Sequence, residues 1–264
     1  MAEDSVLLDV SPEGLAVVRL NRPDKRNAFD EEVIAGLKDA FETLKGAEHV
    51  RVVLLRGAGA HFSAGADLDW MRRQGERDRA DNEADAYDLA RMLKALHDLP
   101  QLTVALVQGA AMGGGAGLVA ACDVGVAMRD ASFRFSEVRL GLTPATISPY
   151  VIAAIGARMA NALFATAESF DGAYAEKIGL TQYTVETAAE LDAMAEHLGS
   201  LAFAAAPGAV NDAKKLVREV AGHRIDDALL HDTARRIAAR RASDEGKEGL
   251  AAFLERRKPS WDVS

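Results

Sequence analysis

Cysteine is nearly absent from this chain: among 264 residues only Cys122 carries a thiol. A single thiol excludes an internal disulfide and any cysteine-rich metal site. The six histidines are scattered, and no H-x-x-x-H pair suggests a metal held on one helix face. Aromatic residues make up 6%. No apolar run approaches the ~20 residues that a membrane-spanning helix requires. Excess positive charge is missing too. The net charge of −9 argues against nucleic acid as a partner, because binding it calls for a positive field over the phosphates. The opening MAEDSVLLDV is acidic and has no apolar core, so no signal peptide is expected and a cytoplasmic setting is the default.

What is present is a globular composition, 49% hydrophobic and 27% charged. VLLDV (6–10) and LAVVRL (15–20) flank the turn signal SPEG and read as a hairpin. Asp30 is placed to cap a helix whose apolar residues Val33, Ile34, Leu37, Phe41 and Leu44 recur at helical spacing, with Gly46 at its end. VRVVLLRG (50–57) and LTVALVQG (102–109) read as buried strands, and 75–100 between them as a helix ending before Pro100. That alternation predicts an α/β fold with right-handed crossovers. After about residue 185 the strands stop. The spacing divides the chain near Pro207 into an α/β core (1–206) and a helical C-terminal region (207–264).

The stretch AAMGGGAGLVAACD (110–123) admits three readings. Gly115, Gly117 and Ala120 fit the G-x-G-x-x-A dinucleotide pattern, and Glu137 follows at the right distance. However, DVGVAM (123–128) begins about eight residues later, too soon for a crossover of roughly ten to twelve. A second reading takes HFSAG (61–65) as a nucleophile turn around Ser63, but His61 stands where a small residue is wanted. The third is an oxyanion hole. SAGAD (63–67) and GGGAG (113–117) each follow a strand and each can open a helix. Their free backbone N–H groups would converge on one carbonyl oxygen, a task that needs no polar side chain. Cys122 between Ala121 and Asp123 reads as an inert buried thiol.

Five segments, NRPDKRNAFD, HFSAGADLDWM, GAAMGGGAGLVAACDVGVA, FRFSEVRLGLTPATISPYVIAAIG and EGLAAFLERRKPSW, resemble the crotonase superfamily in order and spacing over nearly the whole chain. The resemblance implies a spiral of ββα units, a helical C-terminal trimerisation region, a homotrimer or homohexamer, and an acyl-CoA thioester substrate with no separate cofactor. It places the oxyanion-hole amides on Ala66 and Gly114. Contacts to CoA would fall on Lys25, Arg26, Ala28, Ala64, Asp67, Leu68, Gly113 and Ser136, with Arg256 and Lys258 reaching the phosphates, in this chain or a neighbouring one.

Hydratases of that family carry two glutamates. The second is matched by Glu137; the first position holds Gly117. Glu137 is therefore the expected acid–base residue, with its pKa raised by partial burial beside Phe135 and Leu140. Finer similarity runs to bacterial 3-methylglutaconyl-CoA hydratases, whose substrate carries a second carboxylate; Arg139, Ser148 and Tyr150 are candidates to meet it. The reading is a hydratase of 2-enoyl-CoA. An enoyl-CoA isomerase using one glutamate and a catalytically silent acyl-CoA binding protein are the alternatives.

Overall fold

The computed structural model describes residues 4–262. Met1–Glu3 of the acidic start, and the last two residues of the C-terminal region, lie outside the described residues. Strands β1 (Val6–Val10), β2 (Leu15–Leu20), β3 (Val52–Gly57), β4 (Leu102–Val107), β6 (Val124–Met128) and β9 (Tyr183–Val185) form a six-stranded sheet in the order β1-β2-β3-β4-β6-β9. β1 and β2 pair antiparallel and the remaining pairs are parallel. A smaller sheet, ordered β5-β7-β8, is made of β5 (Ala110–Met112), β7 (Ser132–Arg134) and β8 (Phe170–Asp171).

The central strands are continuous apolar runs because both faces of the large sheet are covered. On one face Val53, Leu55, Ala105 and Val107 pack against α1 (Glu31–Lys45), α3 (Arg79–His97), α4 (Gly114–Ala121) and α5 (Ser148–Thr166). On the other, Val52, Leu54, Val104 and Leu106 meet Leu191, Ala195, Leu198 and Ala202 of α7 (Ala188–Ala204). The capped first helix forms as expected: Asp30 accepts from Val33 N at 3.0 Å, and Val33, Ile34, Leu37, Phe41 and Leu44 are buried. Each such side chain contributes about 1.5–3 kcal/mol by leaving water.

Two features depart from the sequence expectation. The helix expected over 75–100 forms as α3, which Asp78 starts by accepting from Asp81 N, but a separate α2 (Leu68–Glu76) that was not expected precedes it. The α2 segment is mostly polar, and its exposed Leu68 breaks any apolar stripe that could have announced it. The small sheet was also unforeseen, since strands of two or three residues carry no periodicity of their own.

α6 (Gly172–Ile178) precedes β9, and the chain ends in α8 (Pro207–Val220), α9 (Asp227–Ala242) and α10 (Asp244–Glu255). α8 is pinned to the sheet through Lys214, whose ammonium lies 2.6 Å from the Asp123 carboxylate and donates to Leu99 O at 2.7 Å. Among the described residues no helix is long and apolar enough to cross a membrane.

Candidate active site

The site grows from two chain segments that leave the large sheet side by side. Ser63 and Ala111 form a parallel bridge, with Ser63 N donating to Ala110 O and Met112 N donating to Ser63 O, each at 2.9 Å. Three residues further along each segment stand Ala66 and Gly114. Phe29 N donates to Gly65 O and Asp67 N to Phe29 O, both at 2.7 Å. Amides alternate sides along an extended segment, so the Ala66 N–H points away from Phe29. Gly114 is the first residue of α4, so its N–H has no partner within the helix. The Gly113 N–H, in contrast, donates to Arg134 O at 2.9 Å.

Glycine suits position 113 for its backbone conformation, and the space beside it is tight. Its φ of +49° belongs to the left-handed region, and a Cβ there would lie 3.2 Å from Glu137 Oε1. That short approach brings the Glu137 carboxyl against the N-terminus of α4. Its other oxygen, Oε2, is buried and has no hydrogen-bond partner among the described residues. Burial pushes the carboxyl above its ordinary value, and a hydrogen bond to its own backbone opposes this only in part. Of the two expected neighbours, Phe135 is buried and Leu140 is 59% exposed.

Beside the Ala66 turn lies a cleft of about 430 Å³ lined by Lys25, Arg26, Ala28, Ala64, Ala66, Asp67 and Leu68, with Asp24 and Asp69. The structure thus gathers six of the residues expected to touch CoA around one expected oxyanion amide. An ion network holds the turn: Asp67 Oδ2 lies 3.0 Å from Lys25 Nζ and 3.3 Å from Arg22 Nη2, and Arg22 Nη1 lies 2.5 Å from Asp30. Burial disfavours ionised Asp67, but hydrogen bonds from Lys25 and from the Trp70 and Asp69 amides outweigh it. Its carboxyl therefore sits below the ordinary range.

Asn27, inside the expected turn from Arg26 to Ala28, is its buried keystone, an anchoring role that the sequence did not announce. It adopts a left-handed φ of 56° and its side chain accepts from Arg22 N while donating to Ala58 O and His61 O. The only local signal was an amide residue that tolerates such a conformation. The Ser63 hydroxyl donates to Asn27 O at 2.8 Å and is fully buried, which suits a turn anchor and not a nucleophile. Burial pushes the Cys122 thiol up, away from reactivity.

Several expected residues stand elsewhere. Arg256 ends α10, and Lys258 pairs with Asp262 at 3.7 Å. Nearby Trp261 is tied by its carbonyl to Arg51 and by its indole N–H to Ala204 O, just before β3, whereas Ala66 follows the opposite end of that strand. The structure therefore does not bring Arg256 and Lys258 to the pocket of their own chain. Tyr150 packs edge-on against His97 and lines a separate cavity with Cys122 and Asp123. The Ser148 hydroxyl donates to Ala145 O. Arg139 is exposed, two residues past Glu137, and Ser136 immediately precedes it.

The enoyl-CoA hydratase/isomerase family model matches residues 11–263. Among solved structures, an enoyl-CoA hydratase from Shewanella pealeana superposes with a TM-score of 0.94 at 41% identity, covering 97% of this chain and 96% of that one. AtuE of Pseudomonas aeruginosa gives a TM-score of 0.93 at 35% identity, over 98% and 99% of the two chains. A crotonyl-CoA hydratase of Syntrophomonas wolfei is 29% identical over 263 residues, 99% of each chain. With the α/β spiral and helical C-terminus in place, the chain belongs to the enoyl-CoA hydratase/isomerase family and is an enzyme of that class.

Proposed function

We propose that the protein adds water across the C2–C3 double bond of a 2-enoyl-CoA. The thioester oxygen is held by the Ala66 and Gly114 N–H groups, which stabilise the enolate that forms as C3 is attacked. Each such donor is worth about 3–4 kcal/mol at the transition state. Glu137 moves the proton at C2, a contribution of about 10²- to 10⁴-fold. The cleft from Lys25 to Leu68 takes the CoA portion. Of the acyl groups, the sequence resemblance favours a branched, dicarboxylic one of the 3-methylglutaconyl type.

The observation that carries this reading is the buried Glu137 carboxyl, whose Oε2 has no partner and whose Oε1 lies close to Gly113 at the start of α4. An acid kept dry and above its ordinary pKa is suited to exchange a proton near neutrality. The test is incubation with a panel of short, branched and dicarboxylic 2-enoyl-CoAs, followed by mass analysis. Gain of one water supports hydration. Conversion of a 3-enoyl-CoA at unchanged mass, without hydration, would replace it by isomerisation. Binding without turnover of either would leave an acyl-CoA carrier.

A further inference from the structure

Three parallel segments enter the site side by side. Ser63 bridges Ala111, and Ala111 pairs with Phe133 of β7. These three are fully buried in one row on the core face. Side chains alternate along a strand, so the next row, Ala64, Met112 and Arg134, stands on the opposite face. All three are partly buried there. Ala64 lines the cleft from Lys25 to Leu68, and Met112 lies against the Ala66 turn, since a Cβ on Gly65 would sit 3.6 Å from Met112 Cβ. Beyond this row each segment delivers one group of the site: Ala66, Gly114 or Glu137. Arg134 is the last residue of β7, and its carbonyl accepts from the Gly113 N–H at 2.9 Å. Its guanidinium has nothing to hold. Nε is buried without a hydrogen-bond partner, and the group makes no ion pair among the described residues. A cation that never loses its charge, taken partly out of water, calls for an anion, and its planar fork matches a carboxylate.

We propose that Arg134 receives the distal carboxylate of a dicarboxylic 2-enoyl group and so selects acyl-CoA esters that carry a second acid. This rests on the reading that the Ala66 and Gly114 amides hold the thioester oxygen during hydration. The CoA cleft lies on the Ala64 side, two segments from Arg134 at about 4.8 Å per step, and the pantetheine arm separates the phosphates from the thioester. An anion at Arg134, one segment from Gly114, therefore belongs to the acyl group. Two residues expected to meet that carboxylate are engaged elsewhere: the Ser148 hydroxyl donates to Ala145 O, and Tyr150 packs on His97. Pairing has a second effect. An unpaired carboxylate arriving near Glu137 would make its ionisation harder still, and the guanidinium cancels that charge.

The experiment measures Kd by calorimetry for glutaryl-CoA and butanoyl-CoA, saturated esters that differ by one carboxylate. Wild type, Arg134→Met and Arg134→Lys are compared, with melting temperature and light scattering as checks on folding and assembly. Turnover of glutaconyl-CoA and 2-butenoyl-CoA is followed in parallel. The wild type is expected to bind glutaryl-CoA the more tightly. Arg134→Met loses about 10- to 100-fold for glutaryl-CoA, the worth of a hydrogen bond to a charged group, and leaves butanoyl-CoA unchanged. Arg134→Lys, a charge without the fork, falls between. In turnover the loss appears in KM for glutaconyl-CoA and spares 2-butenoyl-CoA. The proposal falls if the wild type binds the two esters equally, if Arg134→Met weakens both alike, or if it weakens neither. It falls too if Arg134→Met breaks an oligomer and keeps the preference, which would give the guanidinium to a second copy of the chain. Should Arg134→Met not fold, the wild-type preference and Arg134→Lys still decide. A wild type that prefers glutaryl-CoA yet hydrates neither enoyl ester would instead defeat the hydration reading and leave Arg134 in its role.

Discussion

Replacing Gly114 by proline deletes one N–H at the cost of some crowding against Phe29. Gly114 is the first residue of α4, the helical position where proline is best tolerated. The preceding Gly113, at φ 49° and ψ −116°, is already outside the helical region that a following proline disfavours. The steric load is readable from the structure: a Cβ at 114 would meet Phe29 Cε2 at 3.0 Å and Cδ2 at 3.1 Å, so the ring must yield by a few tenths of an ångström. Crowding of that kind costs about 1–3 kcal/mol of stability. Gly114→Ala carries the same contact but keeps the N–H, so the pair of variants separates crowding from the lost hydrogen bond. Both should therefore melt at similar temperatures. If the Gly114 amide holds the enolate oxygen, kcat of the proline variant should fall about 10²- to 10³-fold below that of the alanine variant, the worth of one oxyanion donor. The assay is steady-state turnover of a hydratable enoyl-CoA, with thermal unfolding as the check on folding. A folded proline variant within about threefold of the alanine variant would remove Gly114 from the oxyanion hole, because a true donor is worth far more.

Glu137→Gln should lower turnover by about 10²- to 10⁴-fold while raising stability near neutrality. The sign follows from the raised carboxyl: the native state keeps a proton that the unfolded chain has released, so the wild type loses stability as pH climbs from the ordinary carboxyl value through the native one. Melting curves of the two proteins should coincide below that window and separate above it; a gap independent of pH would contradict the burial argument. Lys214→Met leaves Asp123 with only its Thr103 bonds in a largely buried setting and should cost about 3 kcal/mol in urea unfolding. A loss under about 1 kcal/mol would mean that solvent screens the pair. Ile225, Leu250, Phe253 and Leu254 are 62–80% exposed on and between the C-terminal helices, and large exposed apolar side chains mark candidate contact surfaces. We propose that a trimer covers them. Light scattering should then find a trimer or hexamer that Phe253→Asp/Leu254→Asp dissociates, and a monomeric wild type would end the idea.

Much of this protein could be read along the chain because the deciding interactions are local. Asp30 caps the helix it precedes, the runs VVLLRG and LTVALV are strands buried on both faces, and Glu137 sits in a segment whose spacing from the glycines carried the family resemblance. The glycines themselves announced a close approach to backbone, and Gly113 and Gly114 prove to face Glu137 and Phe29. What approached each glycine was a different matter. Nothing near Ile147 in sequence says that it fills the space beside Gly117, thirty residues away, and nothing near Lys214 says that it reaches Asp123. Nor could the chain say that Arg256 and Lys258 end up beyond the far end of β3 from Ala66, or that Tyr150 turns toward His97. Periodicity and capping depend on neighbours a few residues apart and leave their mark in the sequence. Contacts between distant segments depend on how the sheet twists and how helices settle on it, and only the folded chain decides them.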